Sequence, residues 1–309
     1  MIVVGGEALV DLVPAPATVR GELGPLLPRV GGGPYNTAVA AGRLGAPVAF
    51  LSRVSTDGFG DAIVDRLVDS DVRVDLVQRG PEPTTLAVVT LGADGSARYT
   101  FHVQGTADRL VTDPGPLPDE VTTLSLGTLS LVLEPGASAY ETVLRRESAR
   151  GRLTVLDPNI RTVLIPDPAA YRARFATWLP DIGVLKVSVE DAGWLADTSD
   201  IEPVLRDWLA AGVTAIVLTR GGAGLTVLTE ADRVDVPAAP ARVVDTIGAG
   251  DTVHGALLAW LHRSGVRGAR DLAKLDRPAW SDALGFAARA AAVTVGRVGA
   301  QPPYAAELN

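Results

Sequence analysis

The segment best suited to chemistry spans residues 245–257 and combines a glycine-rich turn with two carboxylates. Apolar residues at helical spacing follow the turn Gly248-Ala249-Gly250, so we expect a helix that starts near Asp251. Backbone N–H groups in such a turn, at the positive end of a helix, form a natural cradle for a phosphoryl group. Asp251 would accept a proton from a substrate hydroxyl. The segment predicts phosphoryl transfer, and an ordinary helix N-terminus with an acidic residue is the alternative.

Two further segments offer groups for a small polar ligand. The run Gly31-Gly-Gly-Pro-Tyr-Asn36 allows close backbone approach, and the amide of Asn36 both donates and accepts hydrogen bonds. Asp11 follows the first predicted strand, where its carboxylate would accept from two neighbouring hydroxyls of a sugar. Taken singly, each of these residues is more often a turn or cap residue. The glycine-rich loop at 219–224 suits nucleotide phosphates, although such loops are also common in hairpins.

Short apolar strands alternate with amphipathic helices along most of the chain. This alternation is typical of a mostly parallel sheet with helices on both faces, which predicts a Rossmann-like α/β fold. Predicted strands cover residues 2–4, 8–13, 48–54, 72–76, 153–156, 183–187 and 215–219. Predicted helices cover residues 34–44, 61–68, 139–150, 169–178, 203–211 and 287–295.

One part of the chain interrupts this alternation and predicts a protruding β layer. Residues 85–91 and 98–103 have β-like patterns and are joined by an Asp-Gly turn at 92–95, which is typical of a hairpin. Together with the Pro- and Gly-rich stretch at 14–30, this hairpin suggests a small β lid over one edge of the sheet. The alternative is a pair of surface loops.

Composition and missing motifs exclude several kinds of chemistry. The net charge of −8 disfavours nucleic acid as the main partner, and the absence of cysteine excludes disulfides and thiolate chemistry. The lysines Lys186 and Lys274 lie in no P-loop motif, and the glycine fingerprint of dinucleotide-binding folds is missing. The dispersed His102, His254 and His262 lack metal-ligand spacing, so we interpret them as surface or packing residues. No apolar run suggests a membrane span or a leader, which predicts a cytoplasmic protein.

Five motifs in order resemble the ribokinase-like (PfkB) carbohydrate kinases over essentially the whole chain. They are Gly31-Gly-Gly-Pro-Tyr-Asn36, Ser55-Thr-Asp-Gly-Phe-Gly60, Asp157-Pro-Asn-Ile-Arg161, Thr219-x-Gly-x-x-Gly224 and Asp245-Thr-x-Gly-Ala-Gly-Asp251. The resemblance implies one kinase domain over residues 1–309, with lid segments at about 12–30 and 84–104. It also implies ATP with Mg²⁺, often with a monovalent cation such as K⁺, and transfer of the γ-phosphate to a sugar hydroxyl.

The resemblance also implies roles for individual residues. Asp251 would be the catalytic base, and Gly248, Ala249 and Gly250 would form the anion hole. The implied sugar-binding residues are Asp11, Gly32, Asn36, Phe101 and Arg161. The implied nucleotide-binding residues are Lys186, Ser188, Thr219, Gly221 and Gly224. Glu190 or Asp191 would assist the metal, and Asp245 with Ile247 would hold the monovalent cation.

Within the family the motifs are most similar to fructokinases, which implies fructose or a related ketose as substrate. Two positions depart from that pattern. Val103 stands where many fructokinases carry a lid arginine, and an aliphatic side chain cannot replace a planar donor fork. The Asn-x-x-Glu element of many relatives is replaced by Ser188-Val-Glu-Asp191, so the sequence does not choose between Glu190 and Asp191.

Several alternatives remain open at this stage. Within the enzyme class they are a 2-keto-3-deoxygluconate kinase, a ribokinase and a nucleoside kinase. A catalytically inactive sugar-binding protein is an alternative of another class, and a nucleotide-dependent dehydrogenase is disfavoured by the missing fingerprint. Pairing of lid strands between two chains would cover their exposed edges, which predicts a homodimer through the lid.

Overall fold

The computed structural model describes residues 1–15, 24–91 and 97–308. The strands of these residues form two sheets, one large and one small. The large sheet contains β1 (Ile2–Gly5), β4 (Val48–Ser55), β5 (Val72–Arg73), β6 (Val77–Gly80), β9 (Thr123–Gly127), β10 (Leu153–Asp157), β11 (Val184–Ser188), β12 (Ala215–Thr219), β13 (Leu225–Thr229) and β14 (Arg233–Val236). The small sheet contains β2 (Leu9–Pro14), β3 (Leu26–Gly31), β7 (Leu86–Leu91) and β8 (Ala97–His102). The large sheet has the order β14-β13-β12-β11-β10-β9-β1-β4-β5, with β6 also paired to β4. Its pairings are parallel except for β12–β13 and β13–β14, which are antiparallel.

Helices cover both faces of the large sheet because its strands carry apolar side chains on both sides. They are α1 (Gly33–Arg43), α2 (Gly58–Val68), α3 (Gly136–Ala149), α4 (Pro168–Trp178), α5 (Val189–Ala196), α6 (Ile201–Ala210), α7 (Ala249–Arg263), α8 (Ala269–Leu272) and α9 (Arg277–Val295). Ile2 packs on one face with Val39 of α1 and Leu257 of α7, and Val3 packs on the other with Tyr140 of α3. This arrangement confirms the predicted α/β class. Within the described ranges, no helix has the length and apolarity needed to cross a bilayer.

The small sheet has the order β3-β2-β7-β8 and is joined to the large sheet by short connections. The chain enters it from β1 through residues 6–8 and passes from β3 into α1 through Gly32. Its register places Asp11, Ala87 and Phe101 side by side on neighbouring strands, so their side chains share one face. The predicted hairpin strands are present as β7 and β8. The predicted turn at 92–95, and residues 16–23 of the predicted lid segment, lie outside the described residues.

Some elements differ from the sequence expectation. The strand predicted at 72–76 ends at Arg73, because the chain turns where Val77 N–H donates to Val74 O. The pattern also missed β9, α5 and the antiparallel edge strands β13 and β14. Helix α7 begins at Ala249, slightly before the predicted start. Asp11 follows β1 and lies within β2, which corresponds to the strand predicted at 8–13.

Helices α1 and α7 approach each other closely at Gly255. A β-carbon added there would lie 2.6 Å from Ala40 Cβ and 2.7 Å from Thr37 O, so a larger residue requires movement of one helix. This close approach brings the first turns of the two helices together, where Asn36 meets Asp251.

We predict that Gly255→Ala destabilises the fold by about 1–3 kcal/mol, because the added methyl group overpacks the α1–α7 contact. Chemical denaturation measures the change in the free energy of unfolding. Gly285→Ala on α9 is the matched control, since the nearest atom to its added β-carbon is 3.6 Å away at the end of Arg289. The control should be neutral or stabilising by up to about 1 kcal/mol, because alanine favours a helix over glycine. Equal destabilisation by both variants would contradict this account of the helix contact.

Candidate functional site

Polar residues collect at the carboxyl edge of the large sheet, where parallel α/β sheets bind their ligands. Asp157 ends β10, Ser188 ends β11 and Thr219 ends β12. Ser188 and Thr219 are direct register partners, so the two predicted nucleotide-binding residues lie side by side. The N-terminus of α7 lies close to this edge, because Gly250 in its first turn packs against Lys186 of β11.

The N-terminus of α7 places Asp251 in its first turn. Gly248 adopts the left-handed conformation with φ of 75° and caps the helix, a conformation that glycine accepts without steric cost. The N–H of Ala249 donates to Thr246 O at 3.2 Å. The N–H groups of Gly250 and Asp251 have no protein acceptor among the described residues. These two free amides are available to an anion, whereas the Ala249 N–H is already bonded.

Asp251 receives a hydrogen bond from the neighbouring helix. Asn36 Nδ2 in α1 donates to Asp251 Oδ2 at 2.8 Å, so two predicted site residues 215 positions apart are in direct contact. Burial raises the pKa of Asp251 above its ordinary value. The bond from Asn36 and the charge of Lys186 oppose this rise without cancelling it. The carboxylate is therefore a better proton acceptor than a free aspartate.

Lys186 places a buried positive charge beneath the same turn. Its Nζ donates to Asp157 Oδ2 at 2.7 Å and lies 3.3 Å from where a β-carbon on Gly250 would stand. Burial opposes the charge, but the carboxylates, above all Asp157, raise the pKa of Lys186 above its ordinary value. An ammonium group fixed in this position favours a negatively charged ligand at the start of α7.

His254 lies beside this ion pair, which the sequence interpretation did not foresee. The ring is buried, with Nε2 2.8 Å from Ser125 Oγ and Nδ1 3.5 Å from Asp157 Oδ2. It follows Asp251 by three residues, a spacing that places two helical side chains on one face. This spacing was the sequence signal that could have linked His254 to the site. No such signal existed for Ser125, because it lies in β9, a strand that the pattern missed.

The glycine run before α1 is held by a buried carboxylate that sequence reasoning did not single out. Glu7 Oε1 accepts from Gly33 N–H at 3.3 Å, and its Oε2 accepts from Ser130 N–H at 3.2 Å and Ser130 Oγ at 3.0 Å. Burial raises the pKa of Glu7 to about 7. At Gly32, with φ of 111°, an added β-carbon would lie 2.7 Å from Glu7 O. The backbone next to Asn36 is therefore fixed by close packing.

Two predicted sugar-binding residues share a face of the small sheet, and the charge of a third acts on one of them. Asp11 and Phe101 share a face of that sheet, and Phe101 stacks on Tyr99 with ring centroids 6.0 Å apart. Burial raises the pKa of Asp11 to about 6, while the nearby charge of Arg161 lowers it and that of Asp251 raises it. These mutual effects place Asp11, Arg161 and Asp251 within electrostatic reach of one another.

Arg161 is oriented by its own segment. Its Nη1 donates to Asn159 Oδ1 at 2.8 Å and to Asn159 O at 3.1 Å. Asn159 has a positive φ of 39°. Its amide nitrogen would lie 3.1 Å from a β-carbon on Gly33. The segment after β10 therefore reaches the glycine run before α1.

The predicted nucleotide loop forms the turn between β12 and β13. Gly221 has φ of 52° and Gly224 has φ of 94°, and a β-carbon at Gly224 would lie 2.1 Å from Val236 O. Arg220 N–H donates to Gly224 O at 2.9 Å, which closes the turn. The loop is adjacent to Ser188 through the β11–β12 pairing, and its role with nucleotide stays a prediction.

The two carboxylates predicted to assist a metal occupy different environments. Glu190 is exposed, whereas Asp191 Oδ1 accepts from Ile160 N–H at 3.1 Å and burial raises the pKa of Asp191. Among the described residues, no group of three or more potential metal ligands is assembled. Mg²⁺ commonly uses one or two carboxylates together with substrate phosphates, so this donor set fits a shared metal rather than a protein cage.

Asp245 fixes the segment that precedes α7. Its Oδ1 accepts from Ile247 N–H at 3.0 Å and its Oδ2 from Gly299 N–H at 2.8 Å. Gly248 packs against Ala300, and a β-carbon added to Gly248 would lie 2.5 Å from Ala300 Cβ. The carboxylate thus joins the anion-binding turn to residues near the C-terminus, and the cation role predicted for Asp245 and Ile247 stays a prediction.

Several known proteins are similar to this chain in sequence and in fold. The chain is 37% identical over 281 residues to a fructokinase of Rhizobium leguminosarum bv. trifolii, covering 90% of this chain and 85% of the relative. A fructokinase from Xylella fastidiosa with bound ATP superposes with a TM-score of 0.90 at 27% identity, covering 99% and 97% of the two chains. A double mutant of the Vibrio cholerae O395 fructokinase, with fructose, ADP and potassium ion bound, superposes with a TM-score of 0.85 at 27% identity. The superposition covers 99% of this chain and 96% of that structure.

The family match covers nearly the whole chain. Residues 1–307 match the pfkB family carbohydrate kinase. The matched range contains Asn36, Lys186, Asp251 and the glycine run. It also agrees with the resemblance carried by the five sequence motifs. The chain therefore belongs to the pfkB family of carbohydrate kinases, which transfer a phosphoryl group to a sugar hydroxyl.

Proposed function

We propose that this kinase phosphorylates fructose with ATP, using Asp251 as general base. The observation that carries this proposal is the Asp251 carboxylate at the N-terminus of α7, bonded to Asn36 and adjacent to the buried charge of Lys186. This arrangement combines a proton acceptor with a phosphate-binding turn within one helical turn. The fructokinase relatives favour fructose over the other sugars that the family fold accommodates.

The reaction requires little covalent chemistry from the protein. A fructose hydroxyl loses its proton to Asp251 as its oxygen bonds to the γ-phosphorus of ATP. The bond between that phosphorus and the β–γ bridging oxygen breaks, which releases ADP. The free N–H groups of Gly250 and Asp251, with the ammonium of Lys186, stabilise negative charge on the transferring group. The remaining predicted anion-hole groups, Gly248 and Ala249, shape this turn.

We propose Mg²⁺ as the divalent ion, with Asp191 rather than exposed Glu190 as its nearest carboxylate. Mg²⁺ neutralises phosphate charge during transfer. Asp191 lies close enough to Asp157 and Lys186 for their charges to affect its pKa. We also propose that a monovalent cation binds near Asp245 and Ile247, and the potassium-bound form of a similar fructokinase supports K⁺ as that ion.

For the nucleotide, we propose contacts from Ser188, Thr219, Gly221 and Gly224. The first two are neighbours at the carboxyl edge, and the glycine turn that follows Thr219 leaves the backbone accessible. This assignment places ATP on the β11–β12 side of α7.

For the sugar, we propose contacts from Asp11, Gly32, Asn36, Phe101 and Arg161. The carboxylate and amide supply acceptors and donors for hydroxyls, and the aromatic ring covers an apolar face of the sugar. Val103 is 6% exposed, so it packs in the core and offers the sugar no donor group. We propose that residues 1–309 act as one domain in which segments at about 12–30 and 84–104 form the lid.

We also propose a cytoplasmic location. ATP is the phosphate donor, and a chain without cysteine suits a reducing compartment. Fractionation of the native host with an antibody to this protein would test the assignment.

We predict that Asp251→Asn lowers kcat by about 10²- to 10⁴-fold, because the amide cannot accept the hydroxyl proton. ADP release is measured with Mg-ATP and a panel of fructose, 2-keto-3-deoxygluconate, ribose and nucleosides. Asp65→Asn, at an exposed position on α2, is the control and should retain full activity. Circular dichroism and thermal unfolding check that both variants fold. Substantial turnover by Asp251→Asn would remove this residue from the role of base.

A second prediction concerns pH. Because the pKa of Asp11 is raised to about 6, its carboxyl becomes protonated as the pH falls through that value and loses acceptor capacity. We expect the KM for fructose to rise below pH 6, while the KM for ATP changes less. Asp11→Asn should raise the KM for fructose at neutral pH and flatten its pH dependence. An unchanged pH dependence in this variant would exclude Asp11 as the titrating group.

We propose that two copies of the chain form a dimer through their small sheets. Strands β3 and β8 are the outer strands of this sheet, and Leu26 and Leu27 on β3 are 41% and 40% exposed. Exposed apolar edge strands favour pairing with a second copy.

Light scattering after size exclusion should therefore give the mass of a dimer. Leu27→Asp should shift the equilibrium to monomer, because the dimer would bury an unpaired charge. The control is Val68→Asp near the end of α2, where the native side chain is 55% exposed and belongs to the large-sheet side of the molecule. A monomer at every protein concentration, or equal dissociation by both variants, would rule out this interface.

A further inference from the structure

The motif Ser55-Thr-Asp-Gly-Phe-Gly60 carries a carboxylate with no part in the mechanism above. Asp57 caps α2, where its Oδ1 accepts from Gly60 N–H at 2.8 Å. The same carboxylate also binds a distant part of the chain. Its Oδ1 accepts from Thr84 Oγ1 at 2.7 Å, and its Oδ2 accepts from Thr84 N–H at 2.9 Å. A helix cap needs only the first of these three bonds.

Thr84 marks the root of the hairpin formed by β7 and β8, which we name the lid hairpin. The next residue, Thr85, donates through Oγ1 to Asp108 Oδ1 at 2.5 Å. Thr106 donates to the same oxygen at 3.1 Å, and Ala107 N–H donates to Pro83 O at 3.0 Å. The strands that enter and leave the lid hairpin are therefore joined at their base. Asp57 connects this base to the large-sheet side of the molecule.

The carboxylate of Asp57 that binds Thr84 remains charged at neutral pH. Burial alone would raise the pKa of Asp57, but the hydrogen bonds from Thr84 and Gly60 outweigh it and hold the pKa below its ordinary value. An ionised carboxylate that accepts from a backbone N–H and a hydroxyl forms stronger bonds than a neutral acceptor would. The connection at Thr84 is therefore stronger than a neutral turn contact.

The root of the lid hairpin lies next to the proposed sugar site. Thr85 O accepts from Val10 N–H at 3.0 Å, which is one residue before Asp11. Ala87, three residues after Thr84, stands between Asp11 and Phe101 in the small sheet. A shift at the root would therefore move the row of residues that faces the sugar.

We propose that Asp57 is a positioning residue that anchors the lid hairpin at Thr84 and so sets its closure over the sugar. This inference rests on the proposed kinase function. Closure orders the sugar and excludes water, so a loose root weakens sugar binding and lets water compete for the phosphoryl group. Phosphoryl transfer itself, once the lid hairpin is closed, does not involve Asp57.

The test uses Asp57→Ser, because a serine hydroxyl still caps α2 but cannot hold both groups of Thr84. We expect the KM for fructose to rise about tenfold, which corresponds to about 1.4 kcal/mol, with kcat at saturating fructose within about twofold. ADP release without sugar should rise relative to turnover with sugar. Thr84→Val removes only the hydroxyl bond and should reproduce part of this effect. It should add little in the Asp57→Ser background, because that background already lacks the carboxylate that accepts this bond.

The matched control is Asp276→Ser, at an aspartate that caps α9 through Ala279 N–H at 3.0 Å and, among the described residues, has no bond to the small sheet. Both serine variants keep a hydroxyl helix cap, but only Asp57→Ser should alter the KM for fructose. Equal kinetics in the two variants would reduce Asp57 to a helix cap and overturn the proposal.

Hydrogen exchange separates this inference from the proposed function. Amides of β7 and β8 should exchange faster in Asp57→Ser than in Asp276→Ser, whether or not fructose is the substrate. Faster exchange supports the anchor even if the wild-type protein phosphorylates another sugar. Unchanged exchange in β7 and β8 overturns it even if fructose turnover is normal.

Discussion

The hydrogen bond from Asn36 to Asp251 joins the first turns of α1 and α7, and the rest of the site is arranged around this contact. Both helices direct their positive ends toward the same region, so a carboxylate there is stabilised and an anionic ligand is attracted. Gly255 allows the helices to approach closely enough for the bond to form. A packing detail of the core thus determines where Asn36 meets Asp251.

Charge in the interior is balanced around that contact. Asp157 and Lys186 are 5% and 4% exposed, and each would be costly to bury alone. Their pairing keeps both ionised, and His254 with Ser125 extends the polar network. The protein therefore maintains a fixed positive charge next to the N-terminal turn of α7 despite its overall charge of −8.

The sequence predicted the parallel sheet and the glycine turn at Asp251 because both depend on local patterns. It missed β9 and the β13–β14 edge, whose short segments differ little from loops. The environment of His254 and the role of Glu7 depend on contacts between residues more than 120 positions apart, which periodicity does not reveal. The choice between Glu190 and Asp191 likewise required the fold, since their difference in exposure depends on which side of α5 meets the sheet edge.

The connections of the small sheet also limit how far it can travel. One connection is three residues long, from β1 to β2, and another is the single residue Gly32 between β3 and α1. At about 3.5 Å per extended residue, these tethers restrict the small sheet to a rotation about its base. The small sheet is therefore held close to the first turn of α1, where Asn36 contacts Asp251.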